Sequence, residues 1–229
     1  MEFTKLSNRL DLVASFVPEG ARLLDVGSDH AYLPIALLQE GKIEAAIAGE
    51  VVEGPYQSAL QNVADNGLED KIEVRLANGL AAFQATDSIS CITIAGMGGR
   101  LIADILAAGL EKIAGVSRLV LQPNNREDEL RAWLVDHDFR LVDEAILEEN
   151  EKFYEILVVE HGSQELSAKE LRFGPYLMRE QAPAFVQKWS KEVEKLAFAL
   201  EQVPVENQSA RASLEDRIAQ IKEVLNESK

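Results

Sequence analysis

From residue 21 to residue 160 the chain alternates short apolar runs, rich in β-branched residues, with longer amphipathic stretches, and nothing else in the sequence limits the fold as tightly. Alternation of this kind is the signature of βαβ units around a parallel sheet. Strands are expected at 22–26, 45–50, 72–76, 90–95, 118–122, 141–147 and 154–160. Helices such as 55–66 and 100–113 lie between the first five. Strands six and seven are separated only by the polar turn 148–153, which suits an antiparallel pair closing a mostly parallel sheet.

Signals at both ends extend this frame. Leu6, Leu10, Val13 and Phe16-Val17 mark one face of a leading helix that stops at Pro18-Glu-Gly20. Asn125-Arg-Glu-Asp128 reads as an N-cap with an acid three residues on, opening the helix after strand five. Past residue 160 the strand pattern ends. Ser167-Ala-Lys-Glu170 reads as a capping box, Phe173-Gly-Pro175 breaks the chain direction, and Pro183 suits the first turn of a long helix. Phe185, Trp189, Val193, Leu196, Leu200 and Val203, then Leu214, Ile218, Ile221 and Leu225 beyond a polar loop, repeat at three- and four-residue steps. That seam is coiled-coil-like, and the short loop makes an antiparallel helical hairpin. The expected division is residues 1–163 and 164–229.

The lone cysteine, Cys91, excludes a disulfide framework and a Cys-rich zinc site. His30, His137 and His161 are scattered, so no metal site is expected; His137 and Cys91 read as packed residues. The first ten residues lack a basic start before an apolar run, and no segment approaches ~18 uncharged apolar residues. The expectation is a cytoplasmic chain with no membrane span. A net charge of −16 argues at first against nucleic acid. Yet residues 1–163 hold 13 Lys and Arg against 28 Asp and Glu, while residues 164–229 hold 10 against 11. The acid belongs to the first part, which leaves room for local basic patches later.

The chemistry gathers at strand ends. The first strand runs into Asp25-Val-Gly-Ser-Asp-His-Ala-Tyr-Leu-Pro34, close to the D-x-G-x-G-x-G loop of S-adenosylmethionine methyltransferases, with Asp29 and Ala31 where glycines are usual. A carboxylate at 29 would repel a pyrophosphate but attract a sulfonium and an ammonium, which favours S-adenosylmethionine over a dinucleotide. Glu50 closes the second strand, 23 residues after Gly27, where a carboxylate accepts both ribose hydroxyls. Val51 follows it. Asn78, Gly79 and Leu80 follow the third strand and are candidates for the adenine. Ala95, Gly96, Met97 and Gly98 end the fourth strand, where glycines admit a planar base and Met97 offers a soft wall. Amide side chains reach the same rim at Leu121-Gln-Pro-Asn-Asn125.

Taken with Phe153-Tyr-Glu-Ile-Leu157 and Phe173-Gly-Pro175, these segments resemble the bacterial TrmK family of tRNA (adenine-22, N1) methyltransferases over nearly the whole chain. The resemblance implies an α/β fold, a class I methyltransferase with a Rossmann-like seven-stranded sheet followed by a helical, coiled-coil-like domain. It also implies the substrate, and a lineage whose cofactor loop carries Asp-His-Ala in place of glycines. The candidate cofactor site is then Asp25, Gly27, Ser28, Asp29, His30, Glu50, Val51, Asn78, Gly79, Leu80, Ala95 and Gly96. Asp29, Gly96, Met97, Gly98 and Asn124 are the candidates beside the reacting atoms. For tRNA the candidates are Lys5 and Arg9 on the leading helix, Arg100 and Arg126 on the rim, and Lys169, Arg172, Arg179, Lys188, Lys191 and Lys195 on the extension.

Two other classes remain open at this level. One is a methyltransferase of a small molecule, which would need no basic helical extension. The other is a non-catalytic RNA-binding protein with a vestigial cofactor pocket, which would bind tRNA and transfer nothing. On sequence grounds, a chain ending near residue 160 is expected to keep cofactor binding and lose tRNA binding.

Overall fold

A computed structural model describes residues 4–226, so the outer ends of the segments 1–163 and 164–229 lie outside the described residues. Seven strands form one sheet in the order β3-β2-β1-β4-β5-β7-β6. They are β1 (Ala21–Val26), β2 (Ile43–Glu50), β3 (Ile72–Leu76), β4 (Cys91–Met97), β5 (Arg118–Pro123), β6 (Phe139–Glu149) and β7 (Lys152–His161). The first five are parallel, and β7 runs antiparallel to both β5 and β6. Every strand expected from the sequence is present, with the last two longer than their apolar centres. Their turn contracts to Asn150 and Glu151, both with positive φ, as a two-residue hairpin turn requires.

Helices cover both faces, which is why these strands read as continuous apolar runs. Alternate residues serve opposite cores. Leu24, Val26, Ile92 and Ile94 pack on one side against α4 (Gly99–Ala108) and α5 (Glu127–Asp136). Leu23, Ala46 and Cys91 pack on the other with α1 (Asn8–Ser15), α2 (Tyr32–Gln39) and α3 (Glu53–Asp65). The order of connection reverses between β1 and β4, and the crevice above that point is where open α/β sheets hold ligands.

Two local expectations are corrected. The helix expected over 100–113 ends at Ala108, because Gly109 lies against Leu80, and a short 3₁₀ turn, Lys112–Gly115, follows. Asn125 is not an N-cap. Arg126 takes that place with φ +55 and no side-chain bond, and three acids in the first turn, Glu127, Asp128 and Glu129, meet the positive end of α5 instead. His137 lies at the end of α5 with its ring stacked on Trp133, 4.0 Å between centroids.

Beyond the sheet come α6 (Ala168–Phe173), α7 (Pro175–Glu180), α8 (Pro183–Gln202) and α9 (Gln208–Asn226). The Ser167 capping box forms, and Pro183 occupies the first turn of α8. The helices α8 and α9 are antiparallel. Arg211 donates to Leu200 O, Arg217 pairs with Glu192, and Gln181 donates to Val224 O, so partners descend one helix as they climb the other. Their core of Phe173, Leu177, Phe185, Trp189, Leu196, Ile221 and Val224 includes Ile146 of β6 and is flanked by Phe153 of β7.

Beneath this contact lies Arg131, with no exposed surface. Its Nε donates to Glu144 at 2.7 Å, Nη2 to Glu155 at 2.6 Å and Nη1 to Leu171 O at 3.1 Å. Lys188 of α8 adds a bond to Glu155 at 2.6 Å and one to Glu127 at 3.2 Å. Burial opposes the charge on Arg131, but Glu155 and Glu144 outweigh it and hold its pKa above the ordinary guanidinium value. Burial raises Glu144, which has one cation; Glu155 is pulled low because Arg131 and Lys188 together overcome the same penalty. Gly174 passes over this cluster with φ +82, and a Cβ there would stand 2.7 Å from Arg131 Nη2 and 2.8 Å from both Glu144 oxygens.

Cutting the chain near residue 160 would therefore uncover Ile146 and Phe153 and strip Lys188 from Glu155, so the truncation expected to separate two functions would damage the sheet instead. Replacing Arg131 by Met leaves two carboxylates buried with little compensation. We expect a loss of about 3–5 kcal/mol in urea unfolding; under about 1 kcal/mol would remove the cluster from any structural role.

Candidate functional site

The carboxyl ends of β1, β2, β3, β4 and β5 share one edge, and the antiparallel β7 brings its amino end to the same place. Extending the β5–β7 pairing of Leu121 with Leu157 sets Tyr154 level with Asn124. Strand alternation alone could have found Tyr154, had the antiparallel register been followed to the rim.

The loop from β1 to α2 is built under strain. Asp29, His30 and Ala31 have φ of 44°, 67° and 59°, three successive non-glycine residues in the left-handed region. Each conformation of this kind costs roughly 1–2 kcal/mol, and the surroundings hold them there. Ala31 is fully buried, Asn62 Nδ2 donates to His30 O at 3.0 Å, and the amides of Gly27 and Ser28 donate to Gly49 O. Asp25 is buried; Ser28 Oγ donates to one of its oxygens at 2.5 Å and Thr93 Oγ1 to the other at 2.6 Å. Burial pushes its carboxyl above the ordinary range, against those two bonds. Asp25 thus braces the loop from below, and Thr93 and Asn62 are supports that sequence reasoning missed because their partners are distant in the chain. Gly27 has φ +67, and a Cβ there would meet Met97 Cε at 2.4 Å, so Met97 arches from β4 across to this loop.

At the end of β2, Glu50 is 5% exposed and its Oε1 is buried without a partner. Burial pushes its carboxyl upward, eased by the Asp29 backbone N–H and raised again by the Asp25 and Asp29 charges. A buried carboxylate oxygen left unpaired is costly, and a pair of ligand hydroxyls would relieve it. Val51 and Val52, both more than half exposed, continue from it as an apolar shelf. No side chain caps the amino end of α2, whose free amides suit a carboxylate. Asp29 is exposed above it, 3.4 Å from His30 Nε2. A diol, an aromatic ring, an ammonium and a carboxylate in one ligand match S-adenosylmethionine. Asn78 is exposed at the end of β3, but the Leu80 side chain is buried in the core, its carbonyl accepts from Lys112 Nζ at 3.1 Å and Gly79 backs onto Ile105, which corrects the expectation that Leu80 meets the adenine.

Across the crevice, the β4–β5 register shifts between Ala95 and Met97 and sets Gly96 out with φ +78. Asn124 Nδ2 donates to Gly96 O at 2.7 Å and its backbone N–H to Met97 O at 2.7 Å. Gly98 caps α4 beside the Asn125 amide. Ala95 lies half-buried at the sheet end of this bulge.

The candidate RNA residues divide. Arg9 and Lys188 are committed within the protein, Arg9 to Gln122 and Lys188 to Glu155 and Glu127, which corrects their assignment as surface contacts. Arg100 and Arg126 share Glu129. Lys5 is exposed. Lys195 pairs loosely with Glu192 at 3.7 Å, Lys169 with Glu223 at 3.1 Å, and Arg179 stacks on Tyr176. Lys191 lies over Phe153, and Arg172 over Phe173 and Trp189. Burial, with Arg217 close by, holds Arg172 below its ordinary value. Arg172, Lys191, Lys195 and Arg217, with the acids Glu127, Asp128, Glu155 and Glu192, line a cleft between α5 and the hairpin that continues, past Lys188 and Phe153, into a groove reaching Asn124 and Tyr154. Among the described residues no helix is long and apolar enough to cross a membrane, and no His, Cys, Asp and Glu cluster could hold a metal ion.

The chain has known relatives. The model of a family described as tRNA (adenine(22)-N(1))-methyltransferase, TrmK, matches residues 23–223. The chain is 42% identical over 238 residues to the tRNA (adenine(22)-N(1))-methyltransferase of Bacillus subtilis, spanning 99% of each. A Streptococcus pneumoniae protein solved in complex with S-adenosyl-L-methionine is 65% identical, with 97% of this chain and 100% of that one covered and a TM-score of 0.90. M. capricolum TrmK, solved with S-adenosyl-homocysteine, is 28% identical over 95% and 96% of the two chains, with a TM-score of 0.82.

Glu50→Ala is expected to weaken S-adenosylmethionine binding by ~1.5–3 kcal/mol without unfolding the chain, read by calorimetric titration. Hydroxyl donors favour the ionised carboxylate, whereas burial favours the neutral form. Affinity should therefore fall as pH drops and Glu50 takes up a proton, and Glu50→Gln should flatten that dependence. Unchanged affinity in both variants would remove Glu50 from the site.

Proposed function

The chain belongs to the family of tRNA (adenine(22)-N(1))-methyltransferases, and from that premise we propose how its own residues carry the reaction. It transfers a methyl group from S-adenosylmethionine to N1 of adenine 22 in tRNA. One observation carries the assignment of its site: the unpaired, buried oxygen of Glu50 lies at the carboxyl end of β2, on the sheet edge that also carries the Gly96 bulge.

Glu50 holds the ribose hydroxyls, Val51 and Asn78 flank the adenine, and Asp29 and the amino end of α2 take the ammonium and carboxylate. Asp25 and Ser28 act from beneath by fixing the loop. Bound there, S-adenosylmethionine supplies a methyl group on a positively charged sulfur. On the other side of Met97, Gly96 O and Asn124 Oδ1 are acceptors for the amino group of the target base. Both are neutral amide oxygens bonded to amide donors, not to a titrating group, which fits the chemistry. Adenine N1 already carries an in-plane lone pair at neutral pH, so no proton has to leave first. Positive charge grows on the ring instead, and carbonyl dipoles aligned against it stabilise that growth.

A stacked adenine cannot reach this edge, so the nucleotide must be drawn out at a cost of a few kcal/mol. Residues 164–229 are proposed as the helical domain that offsets this cost, through Arg172, Lys191, Lys195 and Arg217 in the cleft running to Asn124, with Lys5, Arg100, Arg126, Lys169 and Arg179 as outer contacts. The chain is placed in the cytoplasm, where tRNA is available.

A tRNA carrying 1-deazaadenosine at position 22 lacks the attacking lone pair and should accept no methyl; label transferred to it would refute the assigned atom. With S-adenosylmethionine and tRNA both saturating, single-turnover transfer to normal tRNA should be nearly flat from about pH 6.5 to about pH 9, and a tenfold rise per unit across that range would show that a base is needed.

A further inference from the structure

Arg9 sits on α1, outside the strand ends that form the rest of the site, yet its guanidinium reaches the rim. Nη1 donates to Gln122 Oε1 at 2.7 Å, and Cζ lies 5.6 Å from the centre of the Tyr154 ring. The same nitrogen is 3.5 Å from the point that a Cβ on Gly96 would occupy. The Gln122 carboxamide that it meets is fully buried and has no bonding capacity left. Oε1 also accepts from the Gly96 N–H at 3.0 Å, while Nε2 donates to Pro123 O at 2.8 Å and to Asn124 Oδ1 at 3.2 Å. An amide turned the other way would aim its N–H groups at two donors, so Arg9 and Gly96 together set its orientation. Gly96 depends on that side chain in turn, because the register shift takes it off the regular β4–β5 ladder.

We infer that Arg9 is a positioning residue for methyl transfer: through Gln122 it holds the Gly96 peptide and the Asn124 amide in the arrangement that receives the target base. The inference rests on the function proposed above. A contact to RNA phosphate is the ordinary use of an arginine on a leading helix, but this one is half-buried and bonded to a neutral amide. The sign of the charge agrees. Methylation leaves the adenine cationic, and a guanidinium laid against the base would oppose it. Turned onto Gln122 and the Tyr154 face, the charge serves geometry instead.

Arg9→Ala and Arg9→Lys are compared with the unaltered protein. At saturating cofactor and tRNA, single-turnover transfer by R9A should fall about tenfold or more. R9K should recover part of the rate, since an ammonium can still donate to Gln122. Dissociation constants for S-adenosylmethionine and tRNA should stay within about twofold, with the salt dependence of tRNA binding unchanged. A lost phosphate contact would do the reverse: it would weaken tRNA binding, flatten the logarithmic salt slope by about 0.7–0.9, and leave the saturated rate intact. That result, or an unchanged rate, would overturn the inference. Hydrogen exchange at the Gly96 amide, measured without substrates, should be faster in R9A. Unchanged exchange overturns the inference whatever the activity. If the unaltered protein transfers no methyl while R9A exchanges faster, the proposed function fails and the network stands. Should R9A not fold, R9K carries the same rate and exchange comparisons, each expected to shift in the same direction.

Discussion

A guanidinium with no contact with water holds the two parts of this molecule in one arrangement. Removing Arg131 from solvent costs several kcal/mol, and the cost is met only because Glu144, Glu155 and the Leu171 carbonyl surround it. These partners come from β6, β7 and the helices beyond the sheet, so the ion cluster forms only when all of them are in place. Lys188 extends it to α8 and, through Glu127, to the first turn of α5 beside the rim. The cleft beside the hairpin and the strand-end edge are therefore tied together by one set of ion pairs, and they form the path proposed for a tRNA toward Asn124 and Tyr154.

Strain is concentrated in the loop from β1 to α2, where the cofactor is proposed to sit. Three left-handed residues in a row would be cheaper as glycines, and each gives up stability to keep a side chain: a charge at Asp29, a ring at His30 beside Tyr32, a buried methyl at Ala31. The surrounding core can support this because Asp25, wholly internal, ties the loop to β4 through Thr93. An acid at the end of β1 thus serves the site without lining it. Glu50 is the opposite case, a buried carboxylate that keeps one oxygen without a partner, the place proposed for the ribose hydroxyls.

Much of this was legible in the chain. The seven strands, their parallel-to-antiparallel change, the capping box at Ser167 and the hairpin helices follow from periodicity and turn chemistry, which are local. What was not legible depends on partners far apart in sequence. Asn125 looks like an N-cap by its neighbours, but its backbone carbonyl is taken by Gly99. Leu80 looks like a ring contact by its position after β3, but its side chain is used by the core. Arg9 and Lys188 look like solvent-facing cations by type and spacing; only the fold brings Gln122, Glu155 and Glu127 to them. The same reasoning explains how a chain of net charge −16 serves a polyanion. Several acids are spent on internal pairs, while Arg172 and Lys191 are stacked on aromatic rings and keep their charge available in the cleft.

The strand-end edge is proposed to move a methyl group onto one ring nitrogen of one nucleotide. The direct measurement incubates the protein with methyl-labelled S-adenosylmethionine and unmodified tRNA, then digests the RNA and locates the label by chromatography and mass spectrometry. The account predicts close to one methyl per tRNA, recovered as N1-methyladenosine in the fragment containing position 22. Label on another atom or nucleotide, or none on the tRNA while the cofactor is bound, would contradict it.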